Sequence, residues 1–141
     1  SWPEQNKLVR IHAFCMLTNH FHLLLEEIVE GGVAKFMQRV GTTMTKHFNE
    51  KYAERGSMFQ GSYRSRTVSS DTYFTYVSAY IQAKNTFDMY KGGLKAAKQN
   101  FNTAYDWALK YPYASLGEYA GIFDRSIVER GILADRFTPS E

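Results

Sequence analysis

Between Lys7 and Leu17 the side chains of Leu8, Val9, Ile11, Ala13, Phe14, Cys15, Met16 and Leu17 form a nearly continuous apolar stretch of strand length. Such a stretch has to be buried, so the rest of the chain must fold around it. Thr18-Asn19 interrupts it with turn-prone residues, and Phe21-His22-Leu23-Leu24-Leu25 resumes the pattern. Two short apolar runs joined by a turn predict a β-hairpin. Glu26, Glu27 and Glu30, followed by Gly31-Gly32, end the second strand and open a turn.

Helical spacing takes over next. Val33, Phe36, Met37, Val40, Met44, Phe48 and Tyr52 recur at intervals of three and four, with Lys35, Gln38, Arg39, Lys46 and Lys51 between them, which predicts an amphipathic helix over 33–52. Gly56 ends it, and Met58 to Val68 reads as a loop running into a strand on which Arg64 and Arg66 share a side. Ser69-Ser70-Asp71 supplies an N-cap for a second helix from Thr72 to about Asn85. Beyond Lys91-Gly92-Gly93 the pattern weakens; Tyr111 to Tyr119 reads as an aromatic loop or short helix, and Ser126 to Leu133 as a terminal helix.

With 141 residues, one domain is expected. The lone Cys15 has no internal disulfide partner, which favours a reducing compartment, the cytoplasm by default. No apolar run approaches the roughly 18 residues of a membrane span, and the first residues resemble no targeting peptide. The net charge of +3 permits a polyanionic partner, and its distribution says more: residues 35–66 hold seven Lys and Arg against two Glu, so the remainder is slightly acidic.

Two features carry chemistry. In Asn19-His20-Phe21-His22, residues i and i+2 of a strand lie on one face about 7 Å apart at Cα, so both imidazoles can converge on one divalent cation. The same spacing also suits one hydrogen-bonded and one solvated histidine. Tyr80 stands on the second helix, downstream of Arg64 and Arg66. A phenol is a poor nucleophile near neutral pH until a cation polarises its target. Most of the ten tyrosines must be packing residues.

The stretch from Ile11 to Leu25 resembles the signature hairpin of the single-tyrosine HUH transposases, in particular the REP-associated tyrosine transposases and their insertion-sequence relatives; the HUH element is His20-Phe21-His22. The resemblance continues through Phe36-Met37-Gln38-Arg39, Phe48-Asn49-Glu50-Lys51-Tyr52, Gly56 to Ser65, Tyr80-Ile81-Gln82 and Tyr111-Pro112-Tyr113-Ala114-Ser115, covering roughly residues 8 to 122. It implies an α+β, ferredoxin-like domain over residues 1–125, with an antiparallel sheet and helices on one face, and a C-terminal helix and tail over 126–141. It also implies a metal-dependent single-strand DNA endonuclease and strand transferase. In that picture His20 and His22 bind Mg²⁺ or Mn²⁺, Tyr80 attacks phosphorus to give a 5′-phosphotyrosine link, and the target is single-stranded DNA at hairpin-flanked sites. Relatives include monomers and homodimers. A catalytically weakened relative that binds hairpin DNA or RNA is the alternative.

Two departures from the family pattern matter. Four residues after the tyrosine, where the family commonly has Asn or Gln as a metal ligand, this chain has Lys84. Asn85 lies about 100° further around an α-helix, so it replaces that ligand if the helix ends or distorts there. Lys84 would otherwise neutralise a phosphate oxygen. The family also carries a strand and helix before the hairpin, whereas a handful of residues precede Leu8, so the sheet is expected to lack a strand and leave an edge open. For nucleic-acid contact the sequence offers Arg39, Arg64, Arg66, Lys84 and the stacking ring of Tyr63.

Overall fold

The computed structural model describes residues 7–18, 20–52 and 63–129. Asn19, most of the motif from Gly56 to Ser65, and residues 130–133 of the expected terminal helix lie outside them; residues 126–129 are not helical. The described residues are α+β. Strands β1 (Val9–Met16) and β2 (Phe21–Glu27) pair in a two-stranded antiparallel sheet, and helices α1 (Gly32–Tyr52), α2 (Asp71–Ala79), α3 (Asn85–Asp88), α4 (Gly93–Gln99), α5 (Phe101–Leu109) and α6 (Leu116–Tyr119) follow. A five-residue π turn, Tyr80–Lys84, joins α2 to α3. No helix among the described residues is long and apolar enough to cross a membrane.

Two compact units divide the chain. The smaller takes Trp2–Val9 and Glu27–Thr67. Within it the Ile28 N–H donates to the Leu8 carbonyl at 3.1 Å, and the Glu27 carboxylate accepts from the Val33 N–H at 3.1 Å, which puts a negative group on the exposed donors of the first turn of α1. The expected apolar positions of α1 form a half-buried stripe from Val33 through Phe48, and Lys35, Arg39 and Lys46 are exposed. Residues 63–69 form no strand, contrary to the expectation for Arg64 and Arg66. The stretch from Tyr63 to Thr67 is exposed throughout and buries no face that would hold it to a sheet.

The larger unit takes Arg10–Glu26 and Val68–Glu141, with Ser1. Its main core joins Ala13 and Cys15 of β1, Leu24 of β2, Ile81 of the π turn and Ala114, with Phe74, Val77, Tyr111 and Tyr119 packed against them. A second cluster is built on Phe87, Ala97, Ala104 and Ala108, where small residues let α4 and α5 approach each other and the end of the α2–α3 helix. Gly92 opens α4 at φ 93°, a left-handed conformation that costs glycine little.

The edge of β1 that β2 leaves uncovered is partly occupied. The Met16 N–H donates to Tyr113 O at 2.7 Å, the Ser115 N–H to Phe14 O at 2.9 Å, and the Glu129 N–H to Ile11 O at 2.8 Å. The expected open edge is therefore closed at these points by the returning chain, with an isolated antiparallel bridge between Cys15 and Ala114. Arg125 secures that return. Its guanidinium makes two hydrogen bonds, 2.8 and 2.6 Å, to the carboxylate of Glu118, which is 1% exposed, and donates to Pro112 O at 2.6 Å.

Candidate active site

The helix from Asp71 to Asp88 carries the candidate nucleophile, and each part of its placement has a local cause. Ser70 caps it as expected, with extended backbone and its hydroxyl accepting from the Tyr73 N–H at 3.1 Å. Phe74, Val77 and Ile81 supply the apolar face. Polar anchors then fix the helix on β1: the fully buried Ser115 hydroxyl donates to Gln82 Oε1 at 2.8 Å and accepts from the Phe14 N–H at 2.9 Å. Thr86 donates to the Gln82 carbonyl at 2.6 Å and lies 3.6 Å from the Cys15 sulfur. Tyr80 points the other way and is 39% exposed.

The rings of His20, just before β2, and His22, on it, stand edge to face with centroids 5.1 Å apart. With metal–nitrogen bonds of about 2.1 Å, two imidazoles on neighbouring coordination positions bring their centroids to about 5 Å, a separation that an ordinary edge-to-face ring contact shares. The His22 imidazole is held below its ordinary pKa, by burial first and then by the charges of His20 and Lys84. That shift favours the neutral imidazole, the form that can bind a metal.

Lys84 also faces Tyr80, its Nζ 5.2 Å from the centre of the phenol ring, and it pairs with Asp88 at 2.8 Å. This carboxylate holds the Lys84 ammonium above its usual range. All four of His20, His22, Tyr80 and Lys84 belong to the larger unit, where Lys84 contacts Tyr80 and bears electrostatically on His22. Arg39, Tyr63, Arg64 and Arg66 belong to the smaller unit, where all four are exposed.

The conditional expectation for Asn85 meets a real distortion. Between Tyr80 and Lys84 the helix widens to a π turn, and the Asn85 N–H donates to the carbonyl of Tyr80, five residues back. Asn85 is 3% exposed, and its side-chain Nδ2 has no hydrogen-bond partner among the described residues. A buried amide without a partner is costly. Because amide O and N are assigned rather than observed, the same group offers an oxygen in that position after a flip. An unsatisfied buried amide is the donor chemistry that a hard divalent cation takes. Among the described residues no group of three or more His, Cys, Asp or Glu is gathered for a metal.

Other groups have structural roles. His12 is 2% exposed and bonds Glu26 at 2.9 Å, away from any reactive position, while His47 is exposed. Glu26, which shares strand parity with the two histidines, is taken up by His12 and Arg10. Sequence reasoning missed the Ser115–Gln82 anchor, because polar residues that bury one another read as surface.

Comparison with curated proteins and with solved structures gives no match. A family model described as "Transposase IS200 like" matches residues 4–84, more than half of the chain, and this span holds the paired histidines, Tyr80 and Lys84. Transposase activity with DNA as its substrate is what such membership implies, and on this match the chain belongs to the IS200-like transposase family.

Proposed function

We propose that the protein cuts and rejoins single-stranded DNA through a covalent link to Tyr80, at sites flanked by hairpins. The observation that carries the reading is the neighbourhood of β2 and the α2–α3 helix: paired imidazoles, a lysine whose charge reaches His22, and an exposed tyrosine under that lysine. His20, His22 and Asn85 would hold Mg²⁺ or Mn²⁺, which when bound supplies Lewis-acid neutralisation of phosphoryl charge.

The chain's own residues do the rest. Tyr80 Oη forms a bond to phosphorus as the bond from phosphorus to the 3′ oxygen breaks; the phenol gives up its proton to solvent, and the departing oxygen takes one up. The products are a 5′-phosphotyrosine and a free 3′-OH, which regenerates a phosphodiester when a 3′-OH attacks the link. Ser115 and Thr86 hold the helix that carries Tyr80 against β1. Exposed Arg39, Arg64 and Arg66 supply phosphate contacts and Tyr63 a stacking face for an unpaired base.

Incubation with a labelled single-stranded hairpin oligonucleotide and Mn²⁺ tests the proposal. A covalent adduct on a denaturing gel is expected, lost in Tyr80→Phe and in His20→Ala/His22→Ala. An adduct that persists in Tyr80→Phe overturns the assignment. Tight binding with no adduct for the wild-type chain points instead to a structural hairpin-binding protein.

A further inference from the structure

The helix from Asp71 to Asp88 is regular on both sides of the Tyr80–Lys84 π turn, and the directions of its side chains are fixed on both sides. Before the turn, Ser78 is buried and Phe74 and Val77 pack on the main core. After it, Asn85, Thr86 and Phe87 are all buried, with Phe87 in the second cluster. A π turn closes its hydrogen bond one residue later than an α turn, so it holds an extra residue while the flanking helices keep their register. Lys84 lacks any packing duty of this kind: its side chain is 39% exposed, and it reaches Asp88 along the helix and the Tyr80 ring beside it.

We propose that Lys84 is the extra residue of this turn and contacts a phosphate of the unpaired strand beside Tyr80, while the turn keeps Asn85 in the direction the fourth residue after Tyr80 has in an α-helix. The inference rests on the reading of Tyr80 and the metal site given above. In an unbroken α-helix one position would have to serve as both amide and cation, and the π turn separates the two. An ammonium on a flexible stem suits a phosphate oxygen as a point charge. Asp88 holds that ammonium beside the Tyr80 ring until a phosphate competes for it.

The test compares Lys84→Met with deletion of Lys84, both in the full chain. Deleting the extra residue should turn the π turn into an α turn, leaving both flanks in place. The deletion variant is expected to melt within about 3 °C of Lys84→Met and to bind Mn²⁺, measured by calorimetry, with wild-type affinity. Asn85→Ala should bind Mn²⁺ at least about tenfold more weakly, within the range seen when one supporting group of a metal site is lost. Both Lys84 variants should bind a labelled single-stranded hairpin oligonucleotide several-fold more weakly, with the slope of log K against log salt smaller by about 0.7.

A deletion variant that unfolds, or melts more than about 10 °C below Lys84→Met, would mean that the flanks have lost register and overturns the proposal. So does wild-type DNA affinity and salt slope in Lys84→Met. A wild-type chain that neither binds Mn²⁺ nor forms an adduct overturns the functional reading instead, and the melting comparison then decides the register claim alone.

Discussion

Ser115→Ala removes one oxygen from a fully buried position and should cost far more than its size suggests. The hydroxyl serves two partners at once, accepting from the Phe14 N–H at 2.9 Å and donating to Gln82 Oε1 at 2.8 Å. Gln82 is 5% exposed, so water reaches it poorly. Each buried group left without a partner costs about 1–3 kcal/mol, and with two stranded at once the loss should be about 2–6 kcal/mol. In a chain of this length that lowers the melting midpoint by roughly 10 °C. Urea unfolding followed by far-ultraviolet circular dichroism measures it directly. Adding Gln82→Leu removes the stranded acceptor, so the double variant should lose less than the two single losses together. A Ser115→Ala loss under about 0.5 kcal/mol would refute the assignment of these bonds, as would strictly additive single and double variants.

Arg125→Met removes both guanidinium hydrogen bonds to the Glu118 carboxylate, which is 1% exposed, and should cost about 3 kcal/mol by urea unfolding, at the lower end for broken buried pairs because the Arg125 side chain is a third exposed; combining it with Glu118→Gln should recover part of the loss. The His22 pKa lies below the unfolded value of 6.5, so the unfolded chain takes up that proton first as pH falls; the stability contribution is complete above 6.5 and is lost between that value and the lower folded one. Proton NMR of the metal-free chain should show the His22 midpoint below 6.5, moving upward in Lys84→Met. Cys15 is fully buried, and burial pushes its thiol pKa up, so native-state alkylation should run on the order of 1000-fold slower than in urea, measured by mass spectrometry.

The hairpin, α1 and the Ser70 cap were legible in the sequence because each leaves a periodic or positional trace: an apolar run, a three-four spacing, a serine before a helix. α4 and α5 were not, since their buried positions are Ala97, Ala104 and Ala108, which stand out little from a solvated helix. The π turn has no sequence pattern of its own; its trace was the mismatch of Lys84 where an amide was expected. The supposed strand at Arg64 and Arg66 failed because alternation of charges specifies a strand only where one face is buried. Buried polar groups such as the Ser115–Gln82 pair and Glu118, which the partly exposed Arg125 holds, are invisible to any reading that equates polarity with surface.

Glu129 gives its N–H to Ile11 and its carbonyl lies 3.3 Å from His12 Nδ1 and 3.4 Å from the Tyr119 hydroxyl. Shortened versions prepared for crystallisation or NMR should therefore keep this residue: trimming to 125 would leave the Ile11 carbonyl bare on the first strand, and an uncovered edge acceptor invites self-association of copies into oligomers with no biological counterpart.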